Sequence, residues 1–148
     1  MQISKHFSLK EMVRSQTAIN HRMGNMPNPE QLKSIIDLVN KVLEPVRIAI
    51  GMPIKVSSGF RSHWLNDEIG GATNSQHTKG EAADLQCADN AKLFNHIKDN
   101  YVFDQLIWEF GNDNQPHWVH VSYTHTGLNR FMLLKAVKEN GKTKYIRL

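Results

Sequence analysis

The sequence predicts a single α+β domain over residues 1–148, with a largely antiparallel sheet flanked by helices. A chain of this length is sufficient for one ordinary domain with its own hydrophobic core. Helix signals come first along the chain, whereas β-rich runs cluster late. Such segregation is typical of α+β folds rather than of alternating α/β folds. Asn140-Gly141, between two β-rich runs, predicts a two-residue hairpin near the end of the chain.

The first helix is predicted from its N-terminal cap. Ser8 and Glu11 form a Ser-x-x-Glu capping box, in which each side chain satisfies a free backbone N–H at the helix start. This pattern predicts a short helix through about Ser15. Residues 17–26 have little apolar periodicity, so we expect a loop there.

A longer helix is predicted to begin at Asn28-Pro29, an N-cap followed by proline at the first helical position. Six apolar residues recur at helical spacing after it, which places one helix face in the core: Leu32, Ile35, Ile36, Val39, Val42 and Leu43. Pro45 is expected to kink or end this helix, because proline lacks the N–H donor and its ring clashes with the preceding turn. Gly51 is expected to close the segment.

The remaining chain is predicted to alternate between short helices and strands before ending in the hairpin. The helices expected here are 62–69, followed by Gly70-Gly71, and 91–98, capped by Asp89. The strands expected here are 54–57, 82–85, 103–110, 117–123, 130–139 and 143–147. A polar loop is expected at 111–116.

Composition limits the classes of protein to consider. Hydrophobic residues make up 40% of the chain and charged residues 22%, as in globular domains. A single cysteine, Cys87, excludes an internal disulfide. No run approaches the roughly 20 apolar residues of a membrane span. The N-terminus lacks the apolar stretch of a signal peptide. We therefore expect synthesis in the cytoplasm, with a separate route to any site outside the membrane.

The net charge of +4 and the pI near 9.3 suggest a polyanionic partner, with a solvated basic surface as the alternative. Nucleic acid and the anionic polymers of bacterial walls both satisfy this condition. The basic residues are dispersed, and aromatic residues do not alternate with arginines as in single-strand binders. The pattern therefore argues against nucleic acid as the partner.

His77, Asp84 and His120 form a candidate metal site. Asp84 follows Ala82 and Ala83 in a short apolar run, and a carboxylate is costly to bury unless it is paired or bound to a cation. His77 precedes it by seven residues, and His120 lies in the strand-like run 118–122. Two histidines and one carboxylate with an open fourth position form a catalytic zinc set.

Two motifs give a resemblance to a known family. Ser75-x-His77-x-x-Gly80-x-Ala82-x-Asp84, followed by Trp118-Val119-His120, resembles the zinc DD-peptidases of the M15 class. This class includes D-Ala-D-Ala carboxypeptidases, phage endolysin peptidases and the hedgehog signalling domain. The segment 57–62, Ser-Ser-Gly-Phe-Arg-Ser, is similar to an element that precedes the first ligand in that family. The likeness extends from about Phe7 to Tyr123 and implies the hedgehog-like DD-peptidase fold.

The resemblance also implies roles for two residues near the proposed metal. It implies that Arg61 faces the substrate, where a planar guanidinium suits a carboxylate or a developing oxyanion. Ser75 is a candidate substrate-binding residue, with a turn-shaping role as the alternative. Arg61 could likewise serve only to cap a strand end.

The general base is left open between two residues. Relatives commonly carry Asp or Glu three residues before the last ligand, and here that position is His117. Glu109 is the nearest upstream carboxylate in a β-rich run. Along a regular strand, His117 would face away from His120, which favours Glu109. A carboxylate or an imidazole can perform the proton transfer.

The resemblance implies a Zn²⁺-dependent peptidase that hydrolyses the stem peptides of bacterial peptidoglycan. We expect a monomeric phage or prophage lysis enzyme, acting as a D-Ala-D-Ala carboxypeptidase or an endopeptidase and reaching the wall after phage-mediated release. The alternative is a non-catalytic zinc-bearing binding module of the same fold, which the missing acidic residue before His120 supports.

Overall fold

A six-stranded sheet organises the protein in the computed structural model, which describes all residues 1–148. Its strands are β1 Lys55–Ser58, β2 Ala82–Gln86, β3 Gln105–Glu109, β4 Trp118–Ser122, β5 Met132–Glu139 and β6 Lys142–Arg147. The spatial order is β1-β2-β4-β3-β5-β6, and only the β3–β5 pair is parallel. The predicted α+β class with a largely antiparallel sheet is confirmed.

Six α-helices accompany the sheet: α1 Leu9–Val13, α2 Gln16–Asn20, α3 Pro29–Leu38, α4 Glu44–Ile50, α5 His63–Glu68 and α6 Asn90–Asn100. The capping boxes expected at Ser8 and Asn28 are present, the second with Gln31 as its partner. Asp89 caps α6 by accepting a hydrogen bond from the backbone N–H of Lys92 at 3.0 Å. No helix combines the length and apolar character needed to cross a bilayer.

The prediction of a loop over residues 17–26 was wrong for residues 17–20. Helix α2 covers Gln16–Asn20, and the Ser15 hydroxyl caps it by accepting a hydrogen bond from the Ala18 N–H. Ala18 is the only buried residue of this helix. A single turn with one buried position leaves no apolar periodicity in the sequence, which is why the pattern indicated a loop.

The helix before Pro45 does not end there. The turn Val39–Leu43 is π-helical and leads directly into α4. This π-helical turn lies just before Pro45, which has no backbone N–H to donate and whose ring crowds a carbonyl of the preceding turn. The helix ends instead at Gly51, whose φ of 66° is the left-handed conformation that favours glycine.

The two faces of the sheet have different environments. Alternation along the strands directs Ala83, Leu85, Leu106, Val119 and Val121 to one face, where they join the core with residues of the helices. The opposite face carries Asp84, Glu109 and His120, which line a cavity of about 710 Å³. Because the core occupies only one face, polar side chains can gather on the other.

The hairpin predicted at Asn140-Gly141 is confirmed. It joins β5 and β6, with φ of 53° at Asn140 and 77° at Gly141. Two successive positive φ values match the right-handed twist of the paired strands. The hairpin lies at the edge of the sheet beside β3 and forms one side of the cavity.

Candidate metal centre

The fold brings together the three residues of the predicted metal set. Strands β2 and β4 are antiparallel neighbours, and Asp84 stands directly opposite His120 in their register. His77 lies on a 3-10 turn, Gln76–Lys79, which leads into β2. One ligand atom from each of the three side chains lies within 4.8 Å of the others. Asp84 lies seven residues after His77, and the turn and strand between them bring the two side chains together.

The distances within the cluster leave space for a shared cation. Nδ1 of His120 lies 3.1 Å from Oδ1 of Asp84, and Nε2 of His77 lies 3.6 Å from Oδ2 of the same carboxylate. The two imidazole rings meet edge to face, with centroids 5.2 Å apart. Neither histidine is more than a tenth exposed. All three side chains border the cavity, so the cluster remains open on one side.

The ring of His77 is oriented by the backbone. Its Nδ1 donates a hydrogen bond to the carbonyl of Gly59 at 2.7 Å, which leaves Nε2 directed at Asp84 with its lone pair available. A backbone partner of this kind is the usual support of a metal-binding histidine. His120 has no such backbone bond, and its Nε2 is buried without a partner.

The charges of the cluster suit a divalent metal. Burial alone would raise the pKa of Asp84, but hydrogen bonds to His120 and His77 outweigh it, so the pKa falls below its usual range. Burial lowers the pKa of His77, although Asp84 partly opposes this effect. An ionised carboxylate and neutral imidazoles are the protonation states that metal binding requires. The donor set of two nitrogens and one carboxylate oxygen therefore fits zinc.

Gly59 is required beside His77 because a larger residue would meet the backbone. A Cβ at this position would lie 2.3 Å from the carbonyl oxygen of Met12, which also accepts the Phe60 N–H at 2.7 Å. We expect Gly59→Ala to displace the carbonyl that orients His77. Zinc affinity should fall by about 10–100-fold, as for other changes to the support of a ligand. Competition with a zinc-binding dye measures this change.

Gly24→Ala is the control for the glycine substitution, because a Cβ at Gly24 meets no atom within 4 Å. We expect its zinc affinity to match that of the wild type. Equal zinc affinity in Gly59→Ala and Gly24→Ala would contradict the orienting role of the Gly59 carbonyl.

Arg61 lies where the resemblance placed it, on the border of the cavity. Its Nε donates to the Ser58 hydroxyl at 3.2 Å, and one terminal nitrogen donates to Asn66 Oδ1 at 3.1 Å. The other terminal nitrogen lies 3.8 Å from Asp84 Oδ2. Burial lowers the pKa of Arg61, while the charge of Asp84 raises it. Gly71 allows this arrangement, since a Cβ there would lie 2.0 Å from Asn66 Oδ1.

Ser75 has the turn-shaping role considered for it and also lies at the cavity. It borders the cavity, and its hydroxyl caps the 3-10 turn by accepting the His77 N–H at 3.2 Å. Its carbonyl also accepts the Thr78 hydroxyl at 2.6 Å. The turn that presents His77 is therefore held by Ser75 at its start and by Gly80, at φ 76°, at its end.

The two candidate bases are in different environments. Glu109 lies on β3 two residues after Ile107, which stands opposite His120, so Glu109 shares the cavity face. Its side chain is 7% exposed, and burial raises its pKa to about 7, with His120 lowering it and Asp84 raising it. His117 is exposed and does not border the cavity. Only its backbone approaches, where its N–H donates to the Glu109 carbonyl at 2.9 Å.

Several cavity residues were not identified from the sequence. They are Lys79, Gln105, Phe110, Arg130, Lys138, Thr143 and Tyr145. Alternation along β3 places Gln105 beside Glu109 and could have been used. The cavity residues of β5 and β6 could not be predicted in this way. Strand β5 pairs in parallel with β3 after a crossover connection, and local sequence patterns do not encode such a pairing.

Comparison with known proteins identifies the family to which the chain belongs. The zinc D-Ala-D-Ala carboxypeptidase of Streptomyces albus G is 52% identical to this chain over 44 residues, which are 29% of this chain and 17% of that protein. The chain thus matches less than a fifth of the length of this curated relative. The model of the peptidase M15 family matches residues 5–122, most of the chain and all three residues of the cluster. The chain belongs to the peptidase M15 family.

Proposed function

We propose that the protein is a zinc-dependent peptidase that hydrolyses peptide bonds in the stem peptides of bacterial peptidoglycan. The observation that carries this proposal is the buried cluster of His77, Asp84 and His120, which opens to a cavity lined by Glu109 and Arg61. Family membership supports the peptidase class, and the name of the Streptomyces albus G relative supports a D-Ala-D-Ala peptide as substrate.

His77, Asp84 and His120 would hold the zinc ion. When bound, zinc supplies a Lewis acid for the scissile carbonyl and lowers the pKa of a water molecule to near neutrality. Glu109 accepts a proton as water adds to the carbonyl carbon, and it delivers that proton to the nitrogen when the C–N bond breaks. In the metal-free protein, burial raises the pKa of Glu109 to about 7. Arg61, held by Ser58 and Asn66, directs its remaining donors at a substrate carboxylate or oxyanion.

The setting of the reaction is a finer part of the proposal. The protein would act as a monomeric lysis enzyme of a phage or prophage, on the wall of the host, as a carboxypeptidase or an endopeptidase. The net charge of +4 supports attraction to anionic wall polymers. Digestion of purified peptidoglycan, followed by mass analysis of the fragments, identifies the bond.

Zinc reconstitution with peptidoglycan digestion tests the proposed function. We expect about one zinc per chain in the wild type, with the four-coordinate geometry of a catalytic site. The double variant His77→Ala, His120→Ala should lose both zinc and digestion. A control variant, His63→Ala, alters an exposed histidine outside the metal cavity and should retain both. Zinc binding without digestion by the wild type would instead favour the binding-module alternative.

A further inference from the structure

The β5–β6 hairpin forms a wall of the metal cavity, although it lies beyond residues 5–122 matched by the family. Four of its side chains line the cavity: Leu134, Lys138, Thr143 and Tyr145. Sheet register places them beside the reacting groups. Glu109 stands next to Ala136 on β5, and Ala136 stands next to Tyr145 on β6. Ala136, which lies between Glu109 and Tyr145 in the sheet, is fully buried.

Lys138 is an exposed residue that lines the cavity and contacts two neighbouring side chains. Its Nζ donates to the Thr143 hydroxyl at 3.3 Å and lies 5.5 Å from the centre of the Phe110 ring. Phe110 adopts an unusual φ of 57°, and its N–H donates to the Ala136 carbonyl at 3.0 Å. A bulky residue held in the left-handed region is uncommon and often marks a functional site. Phe110 directly follows Glu109 in the chain, and its ring lies beneath the Lys138 ammonium group.

The charges along the cavity indicate an anionic ligand. Its cations are Arg61, Lys79, Arg130 and Lys138, whereas its acidic residues are Asp84 and Glu109. Asp104 neutralises Arg130 through bonds of 2.9 and 2.7 Å, and Asp84 lies beside Arg61. Neither Lys79 nor Lys138 has a carboxylate within ion-pair distance. Asp84 belongs to the metal cluster, so Lys79 and Lys138 are the two cavity cations without an ion-pair partner in the protein.

We propose that the hairpin determines substrate specificity and that Lys138 binds a carboxylate of the peptide near the scissile bond. Cleavage of the peptide in this inference rests on the proposed function, whereas binding of the carboxylate by Lys138 does not. The carboxylate comes from one of two sources in the substrate, the C-terminal carboxyl group or an acidic side chain. Tyr145 closes the same wall and limits the space for substituents beside Glu109.

The experiment compares one synthetic stem peptide with two derivatives, in which the C-terminal or the side-chain carboxylate is converted to an amide. For the zinc-loaded wild type, one of the amides should raise KM by about tenfold or more, because a bond to a charged group is lost. Lys138→Met should show equal KM values for the acid and that amide. Lys138→Arg should restore much of the preference.

Lys144→Met is the matched control. Lys144 lies on the same hairpin, does not line the cavity and forms an ion pair with Glu139 at 3.1 Å. It should retain the wild-type preference for the acid. Calorimetry with zinc-loaded Glu109→Gln, with and without Lys138→Met, measures the same preference as a dissociation constant when the peptide is not cleaved.

The outcomes separate this inference from the proposed function. Cleavage by the wild type together with an unchanged acid preference in Lys138→Met would overturn the inference alone. A Lys138-dependent acid preference in calorimetry, without cleavage by the wild type, would overturn the proposed reaction and support the inference. Failure of all peptides to bind or react would overturn both.

Discussion

Replacing Asp84 with asparagine is expected to abolish zinc binding and peptidase activity. The amide has the same shape as the carboxylate but lacks the negative charge that lies between His77 and His120 at 3.6 and 3.1 Å. Changes to residues that merely support a ligand already cost about 10–100-fold in metal affinity, so loss of a direct ligand should cost more. Zinc content after dialysis and digestion of peptidoglycan measure the two effects.

The loss of Asp84 should also affect Arg61. This guanidinium is largely buried and faces the carboxylate at 3.8 Å, so Asp84→Asn leaves it without a nearby anion. Removing one partner of a buried ion pair costs more free energy than the intact pair contributes to stability. We therefore expect Asp84→Asn to lower the free energy of unfolding of the metal-free protein, as measured with urea.

Asp113→Asn is the control for Asp84→Asn, because the Asp113 side chain is 92% exposed and does not line the cavity. It should leave zinc content, digestion and stability near their wild-type values. Retention of one zinc and normal turnover in Asp84→Asn would remove Asp84 from the metal site.

The sequence was sufficient to predict the cluster because its geometry depends on local order. Gly80 allows the turn after His77, and the short apolar strand that follows directs Asp84 to the polar face. His120 lies on a strand with the same alternation, and antiparallel pairing of β2 with β4 brings the two strands into contact. Motif resemblance supplied the one non-local step, namely that His120 belongs to the same ligand set as His77 and Asp84.

The cavity beyond the metal cluster could not be predicted in the same way. Glu109 and His117 are both close to His120 in sequence, and only the register of β3 with β4 distinguishes their environments. Lys138 and Tyr145 reach the cavity because β5 pairs with β3 rather than with β4, the strand that precedes it in the chain. Such pairing depends on the burial of whole strands, which no short pattern encodes.

Glu109 is inferred to be the general base, and Glu109→Gln tests this role. The amide preserves the size of the side chain on β3 but cannot accept the proton of water. Loss of general acid–base catalysis costs on the order of 10²–10⁴-fold, and kcat should fall by this factor while zinc content is unchanged. Hydrolysis of a synthetic stem peptide by the zinc-loaded variant provides the measurement.

The same substitution should change stability with a defined dependence on pH. In the metal-free protein, burial raises the pKa of Glu109 from 4.5 to about 7, so the folded state binds a proton that the unfolded state has released. The contribution of Glu109 to wild-type stability should therefore decline between about pH 4.5 and pH 7, while glutamine avoids this loss. At pH 8 Glu109→Gln should be more stable by about 1–2 kcal/mol, after allowance for solvent in the cavity.

His117→Ala separates the two candidate bases. The His117 side chain is exposed and outside the cavity, and the hydrogen bonds of this residue are made by backbone atoms that alanine retains. We therefore expect kcat to stay within about threefold of the wild type, since His117 is not positioned for the proton transfer. A large loss in His117→Ala with normal turnover in Glu109→Gln would reverse the assignment. It would require the chain before Trp118 to turn the imidazole into the cavity, where Glu109 now lies beside Trp118 in the sheet.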